Sequence, residues 1–184
     1  DGTLSTTVSV TDNKILTDAK VYATWKVDNV AVGDLASTTA GTFTNDVATI
    51  TPTAYTVSSA TANKTVALYV YAVKDNQVVW SYTSDAITVN PKNTADVVKA
   101  TATDVEYNGK IQQATPTLNP VSGSLPAELD GTDDYTIGYD ENSDFVNVTD
   151  KPITITLTPK SSAYKGSITT TYKINPKNLS TSNA

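Results

Sequence analysis

Histidine, cysteine and methionine are absent from the 184 residues, and arginine does not occur, so lysine is the only basic side chain. Each absence removes a class of chemistry. Without cysteine there is no disulfide and no thiolate nucleophile, and thiol usage says nothing about redox compartment. Without histidine or cysteine the usual zinc, copper and non-haem iron sites lose their best ligands, and neither Ser-His-Asp nor Cys-His relays can be assembled. Carboxylate, lysine, tyrosine and hydroxyl remain. A formal net charge of -6 opposes binding to phosphate backbones, which rests on clustered cations releasing counterions; no nucleic-acid partner is expected. No apolar run approaches the roughly 20 residues that span a bilayer, so no membrane insertion is expected. The chain starts without Met and without a signal-peptide pattern, which points to a mature or excised segment.

What is abundant is threonine, valine, alanine, asparagine and aspartate. Thr and Val favour strands, whereas Asn, Asp, Gly and Pro supply turns. The length fits two domains of about 90 residues each. A repeated ending supports that division: Ile87-Thr88-Val89-Asn90-Pro91-Lys92-Asn93 returns as Tyr172-Lys173-Ile174-Asn175-Pro176-Lys177-Asn178. Proline has no N–H to give a ladder, so each Asn-Pro reads as an exit from a sheet. The expected domains are 1–93 and 94–178, with 179–184 a linker or the start of a next module.

In the first domain Val21, Ala23, Trp25 and Val27 alternate with Tyr22, Thr24, Lys26 and Asp28, which predicts a strand over Lys20–Asp28 with the first set, Trp25 included, in the core. Further strands are expected at Leu4–Val10, Val47–Val57, Thr65–Lys74 and Gln77–Val89, the last two joined by a tight turn at Asp75-Asn76. In the second domain strands are expected at Val98–Tyr107, Tyr135–Tyr139, Phe145–Val148, Ile153–Thr158 and Ser167–Ile174, with a turn at Asn108-Gly109. Neither half shows an amphipathic helix. The fold class is therefore all-β, two tandem β-sandwiches of immunoglobulin-like type. A β-grasp form of the second would need a helix.

Tyr107-Asn108-Gly109-Lys110, Gly131-Thr132-Asp133-Asp134-Tyr135-Thr136-Ile137, Ala163-Tyr164-Lys165-Gly166-Ser167 and Tyr172-Lys173-Ile174-Asn175-Pro176-Lys177 form an ordered series. It resembles the tandem repeats of large bacterial surface proteins that read Tyr-Asn-Gly-Lys, Gly-Thr-Asp-Tyr-Thr-Val, Asn-Tyr-x-Gly and Phe-x-Ile-x-Pro-Lys. This copy departs from them with an extra Asp before Tyr135 and an acidic run, Asp140-Glu141-Asn142-Ser143-Asp144. The first half resembles a bacterial immunoglobulin-like domain through Trp25-Lys26-Val27-Asp28-Asn29 and its closing Ile-x-Val strand. These resemblances imply stalk, spacer, adhesive or surface-layer modules and bring no catalytic residues.

Parity nominates a surface. With Val66, Leu68, Val70 and Ala72 toward the core, Tyr69 and Tyr71 point out beside Tyr22. Counting back by twos from Ile87 and Val89 adds Trp80 and Tyr82, so that Tyr22, Tyr69, Tyr71, Trp80 and Tyr82 would share one outer face able to stack on sugar rings. A second register is open: one extra residue near Thr83-Ser84-Asp85 reverses the parity and sends Trp80 toward the core. For a metal, Asp140, Asn142 and Asp144 are the only candidates. Their spacing begins like an EF-hand loop, but Phe145 stands where the loop needs Gly and Lys151 where it needs the bidentate Glu. The acidic run is read as solvated, with no cofactor, calcium bound there being the weaker alternative. Glu106, Glu128 and Glu141 have nothing around them to raise a carboxyl pKa for glycoside hydrolysis. A Lys to Asn or Asp isopeptide crosslink would need a buried lysine beside a carboxyl.

The sequence thus leads to a non-catalytic structural or adhesive module pair of a secreted or cell-surface bacterial protein. Its expected partners are neighbouring domains of the same protein, cell-wall or host glycans, or further copies of itself. The alternative is a carbohydrate-binding accessory module of a secreted polysaccharide-degrading enzyme, acting through the aromatic face.

Overall fold

The computed structural model describes residues 2–12, 14, 16, 18–33 and 39–178. The expected linker at 179–184 lies outside them. The protein is all-β: the only helical segments among the described residues are single 3-10 turns at Ser59–Thr61, Thr94–Asp96 and Thr132–Asp134. The chain divides into two compact units, Asp1–Pro91 and Lys92–Ala184.

The first unit is built on a long antiparallel pair, β3 (Lys20–Val27) with β8 (Thr65–Lys74). Two-residue strands β4 (Val30–Ala31) and β5 (Gly41–Thr42) flank β3, while β9 (Gln77–Thr83) and β10 (Ile87–Thr88) flank β8. Apart from this sheet, β2 (Val8–Thr11) pairs with β6 (Val47–Ile50), and β1 (Gly2–Leu4) with β7 (Tyr55–Val57). Val10, Ala48 and Ile50 meet Val21, Ala23, Val70 and Ala72 in one core, as the period of two requires of strands with one buried face. Asp75 and Asn76 take φ of 49° and 62°, the left-handed pair that closes a two-residue hairpin between β8 and β9.

Trp25 keeps the core side of β3 by alternation but is only half-buried. Its indole N–H donates to the Thr53 carbonyl at 3.0 Å. It therefore stands outside the buried cluster where a core position was expected, with its one polar atom bonded to backbone.

In the second unit β15 (Tyr135–Tyr139), β16 (Ile153–Pro159) and β18 (Ile168–Tyr172) form an antiparallel meander. β12 (Val98–Thr101) pairs antiparallel with β14 (Thr117–Pro120). Two parallel pairs complete it: β11 (Lys92–Asn93) with β17 (Tyr164–Lys165), and β13 (Val105–Glu106) with β19 (Ile174–Asn175). Ile153, Ile155 and Leu157 on β16 are buried with Val98, Leu129, Tyr135, Ile168, Tyr172 and Ile174. Burying each aliphatic side chain of this size is worth roughly 1.5–3 kcal/mol.

Lys92 and Asn93, placed by the repeated ending in the first domain, belong to the second: Lys92 N–H donates to Ala163 O at 2.9 Å. Pro91 does end the first sheet, but the next two residues open a new ladder. Phe145–Val148 is not a strand. The Asp144 carboxylate accepts the backbone N–H groups of Val146 and Asn147 at 2.8 and 2.9 Å, a local turn that removes them from any ladder.

Candidate binding surface of the first unit

The five aromatics nominated by parity fall on two faces. Direct cross-strand partners share a face, and β3 and β8 set Tyr22 opposite Tyr71 and Thr24 opposite Tyr69. Tyr71 stacks on Tyr22 at 5.3 Å between ring centroids and on Tyr69 at 5.2 Å. The Lys26 ammonium lies 3.7 Å over the Tyr69 ring, a cation–π contact. Tyr71 thus packs against two aromatic rings and is only 4% exposed, while Tyr69 has Tyr71 and the Lys26 ammonium against it. The buried Tyr71 serves as packing in this ladder, whereas Tyr22 and Tyr69 stay half-exposed on its two sides.

Trp80 and Tyr82 stand on the opposite side. In the β8–β9 ladder Val70 faces Tyr82 and Ala72 faces Trp80, which puts both aromatics on the core face. The parity count failed because the strand carries an extra residue: Ile87 faces Val66, one position out of step with Thr83 facing Tyr69. The slip lies between Ser84 and Ala86, where the second register placed it. Ser84 makes it tolerable, since its N–H donates to Leu68 O at 2.9 Å while its Oγ accepts the Leu68 N–H at 3.0 Å. A second slip falls at Val79, between Val78 facing Val73 and Trp80 facing Ala72.

Although on the core face, Trp80 and Tyr82 remain 37% and 55% exposed. They line an open groove of about 290 Å³ with Val70 and with Val8 to Thr11 of β2. Nothing lines this groove that carries charge. Sequence reasoning missed β2's part in it, because a groove between two strands distant in the chain leaves no local pattern.

The acidic loop of the second unit is committed to its own backbone. Asp134 accepts the Gly131 N–H at 2.9 Å and Asp140 the Asn142 N–H at 3.1 Å. The Asp144 carboxyl is held below the usual carboxylate range by the Asn147 side-chain amide first, then by the N–H groups of Asn147 and Val146. No cluster of three or more acidic side chains able to hold a metal occurs among the described residues. The melting temperature is accordingly expected to be the same, within about 1 °C, in calcium and in a chelator. A calcium site saturated a hundredfold above its Kd would add about 2.7 kcal/mol, a rise of several degrees, and such a rise would contradict this reading. No described lysine is buried, so none meets the isopeptide requirement.

No family model, curated protein or solved structure matches the chain.

Proposed function

We propose that the chain is a pair of β-sandwich modules, the first immunoglobulin-like, that serves without catalysis as a stalk, spacer or layer element of a secreted or cell-surface bacterial protein. Support for the first module comes from its ladders: β2 with β6, and β3 with β8 with β9, reproduce the B–E and C–F–G neighbours of the immunoglobulin fold. Support for a sandwich in the second comes from Tyr135, at the start of β15, whose hydroxyl donates back to Leu129 O at 3.2 Å in the manner of a tyrosine corner. No helix longer than a single 3-10 turn occurs among the described residues, which favours a sandwich over a β-grasp form. The ordered motif series and the Cys-free, Thr-rich composition support a bacterial surface protein.

The observation that carries the mechanical reading is the parallel pairing at the two ends of the second unit. Tension entering at β19 meets β13, which runs the same way, and tension entering at β11 meets β17, also running the same way. Parallel neighbours pulled from opposite chain ends slide along each other, so their hydrogen bonds load together. Val105 and Tyr107 donate to Lys173 O and Asn175 O, both at 2.9 Å. Asp104 reinforces this pair by accepting from Lys173 N–H at 2.8 Å and from Asn175 Nδ2 at 3.3 Å. The first unit ends instead in antiparallel pairs, β1 with β7 and β10 with β8.

Single-molecule stretching of the chain should therefore show two unfolding events, each releasing roughly 300 Å. The second unit should yield at the higher force, and Asp104→Ala should lower that peak alone. Unfolding of both units without resolved force peaks would refute a load-bearing role.

A further inference from the structure

The sheet of the first unit has one blunted edge and one open edge. Beyond β3 it ends in β4 and β5, two residues each. Beyond β8 stands β9, seven residues long and exposed throughout, with Val78, Val79, Trp80 and Tyr82 among the large apolar side chains left in solvent. Edge strands are normally guarded by lysine, proline, inward charge or shortness. Residues 77–84 carry no charge and no proline, in a chain of net charge -6. Only the slip at Val79 interrupts the edge.

The ladder with β8 fixes which backbone groups are free. Ser84 N–H bonds Leu68 O, so Leu68 with Ser84, Val70 with Tyr82 and Ala72 with Trp80 are the hydrogen-bonded pairs. Ser81 and Thr83, lying between them, turn both N–H and C=O away from β8. β8 is the only strand that pairs with β9, so these groups have no ladder partner among the described residues.

We propose that this edge pairs with the same edge of a second copy, antiparallel, about a two-fold axis at Tyr82. Ser81 of each copy then faces Thr83 of the other, and these two pairs exchange four N–H···O bonds clear of the slip at Val79. The Tyr82 side chains meet at the axis on the core face, and Trp80 of each copy lies beside Ser84 of the other. Two observations select a second copy as the occupant. A row of alternating N–H and C=O groups at strand spacing is matched by another strand, and an antiparallel edge is its own complement under a two-fold axis. Two acidic chains repel one another over most of their surface, and this uncharged stretch lets them approach without opposing like charges. The contact is short and therefore weak for one pair; copies arrayed on a surface would add such contacts by avidity. It stands apart from the load-bearing role of the second unit.

The test is the mass of the whole chain by sedimentation from micromolar to millimolar concentration. The native chain should rise toward twice the one-chain mass. Ser81→Pro deletes an edge donor that β8 does not use, and should stay at the one-chain mass with unchanged circular dichroism. Tyr82→Lys sets two ammonium groups across the axis at an exposed position and should do the same, so the test survives if the proline variant misfolds. A native chain that remains monomeric overturns the proposal, as does a dimer that both folded variants retain. A monomer whose Trp80 fluorescence responds instead to an added oligosaccharide or peptide gives the face to another occupant and overturns it as well.

Discussion

Leu157→Ala is expected to lower the stability of the second unit by about 3 kcal/mol, within the 2–5 kcal/mol span of leucine truncations in cores. Leu157 is 0% exposed, pairs with Ile137 on β15 and Ile168 on β18, and belongs to a cluster made only of residues of the second unit. The loss has two parts: the transfer of three carbons from an apolar site, and the void that the neighbours on β15 and β18 cannot close, because their backbones are held by ladders on both sides of β16. The chain carries its own control for the measurement. Both tryptophans, Trp25 and Trp80, belong to the first unit, so tryptophan fluorescence in urea follows that unit while circular dichroism follows both. The fluorescence midpoint should stay in place and the dichroism transition of the second unit should move to lower urea. Thr158→Ala, at an exposed position on the same strand, should cost no more than about 0.5 kcal/mol. Equal effects of the two substitutions would show that β16 does not run through a packed core.

β16 was also the most legible element of the sequence. Strict alternation of Ile153, Ile155 and Leu157 with threonines leaves one way to bury a face, and the ladder obeys it. The same holds for Val21 and Ala23 on β3, and for the Asp75-Asn76 hairpin, where side chains that tolerate positive φ mark the turn. Alternation fails where it is counted across an irregularity. The Tyr22, Tyr69 and Tyr71 trio was readable because each count stayed within β3 or β8. Trp80 and Tyr82 were misplaced because their count crossed the extra residue between Ser84 and Ala86, whose tolerance depends on a side-chain bond from another strand. Two-residue strands such as β11, β13, β17 and β19 have no period to show. Their partners lie some 70 residues away, as Asp104 does from Lys173 and Asn175, so their pairing is a product of the whole fold. At Phe145–Val148 the apolar residues suggested a strand, and the carboxylate of Asp144 decided the matter by binding the backbone first.

Raising the pH through the range 10 to 12 should unfold the second unit progressively. Burial, then the neighbouring Asp134 carboxylate and Tyr164, push the Tyr135 hydroxyl from its ordinary 10.0 up to about 12. Burial likewise raises Tyr139, Tyr164 and Tyr172. The sign follows from proton counting. In an unfolded chain these phenols ionise near pH 10, while in the fold they keep their protons to higher pH. Between the two values the folded state therefore binds more protons than the unfolded one, and stability falls as pH rises. The contribution is complete below pH 10 and is lost on passing through the folded value. Tyr135 is placed to dominate, since ionisation would set a phenolate in the core beside an acidic residue and break its hydrogen bond to Leu129 O. Tyr135→Phe should cost about 1 kcal/mol at neutral pH through that lost bond, yet move the alkaline unfolding midpoint upward. Parallel titrations by circular dichroism and by tyrosinate absorbance would check it, with unfolding and ionisation of the second unit expected to coincide. Stability that stays level from pH 10 to 12, or an alkaline midpoint that Tyr135→Phe leaves unmoved, would show that the buried phenol is not the group that fails.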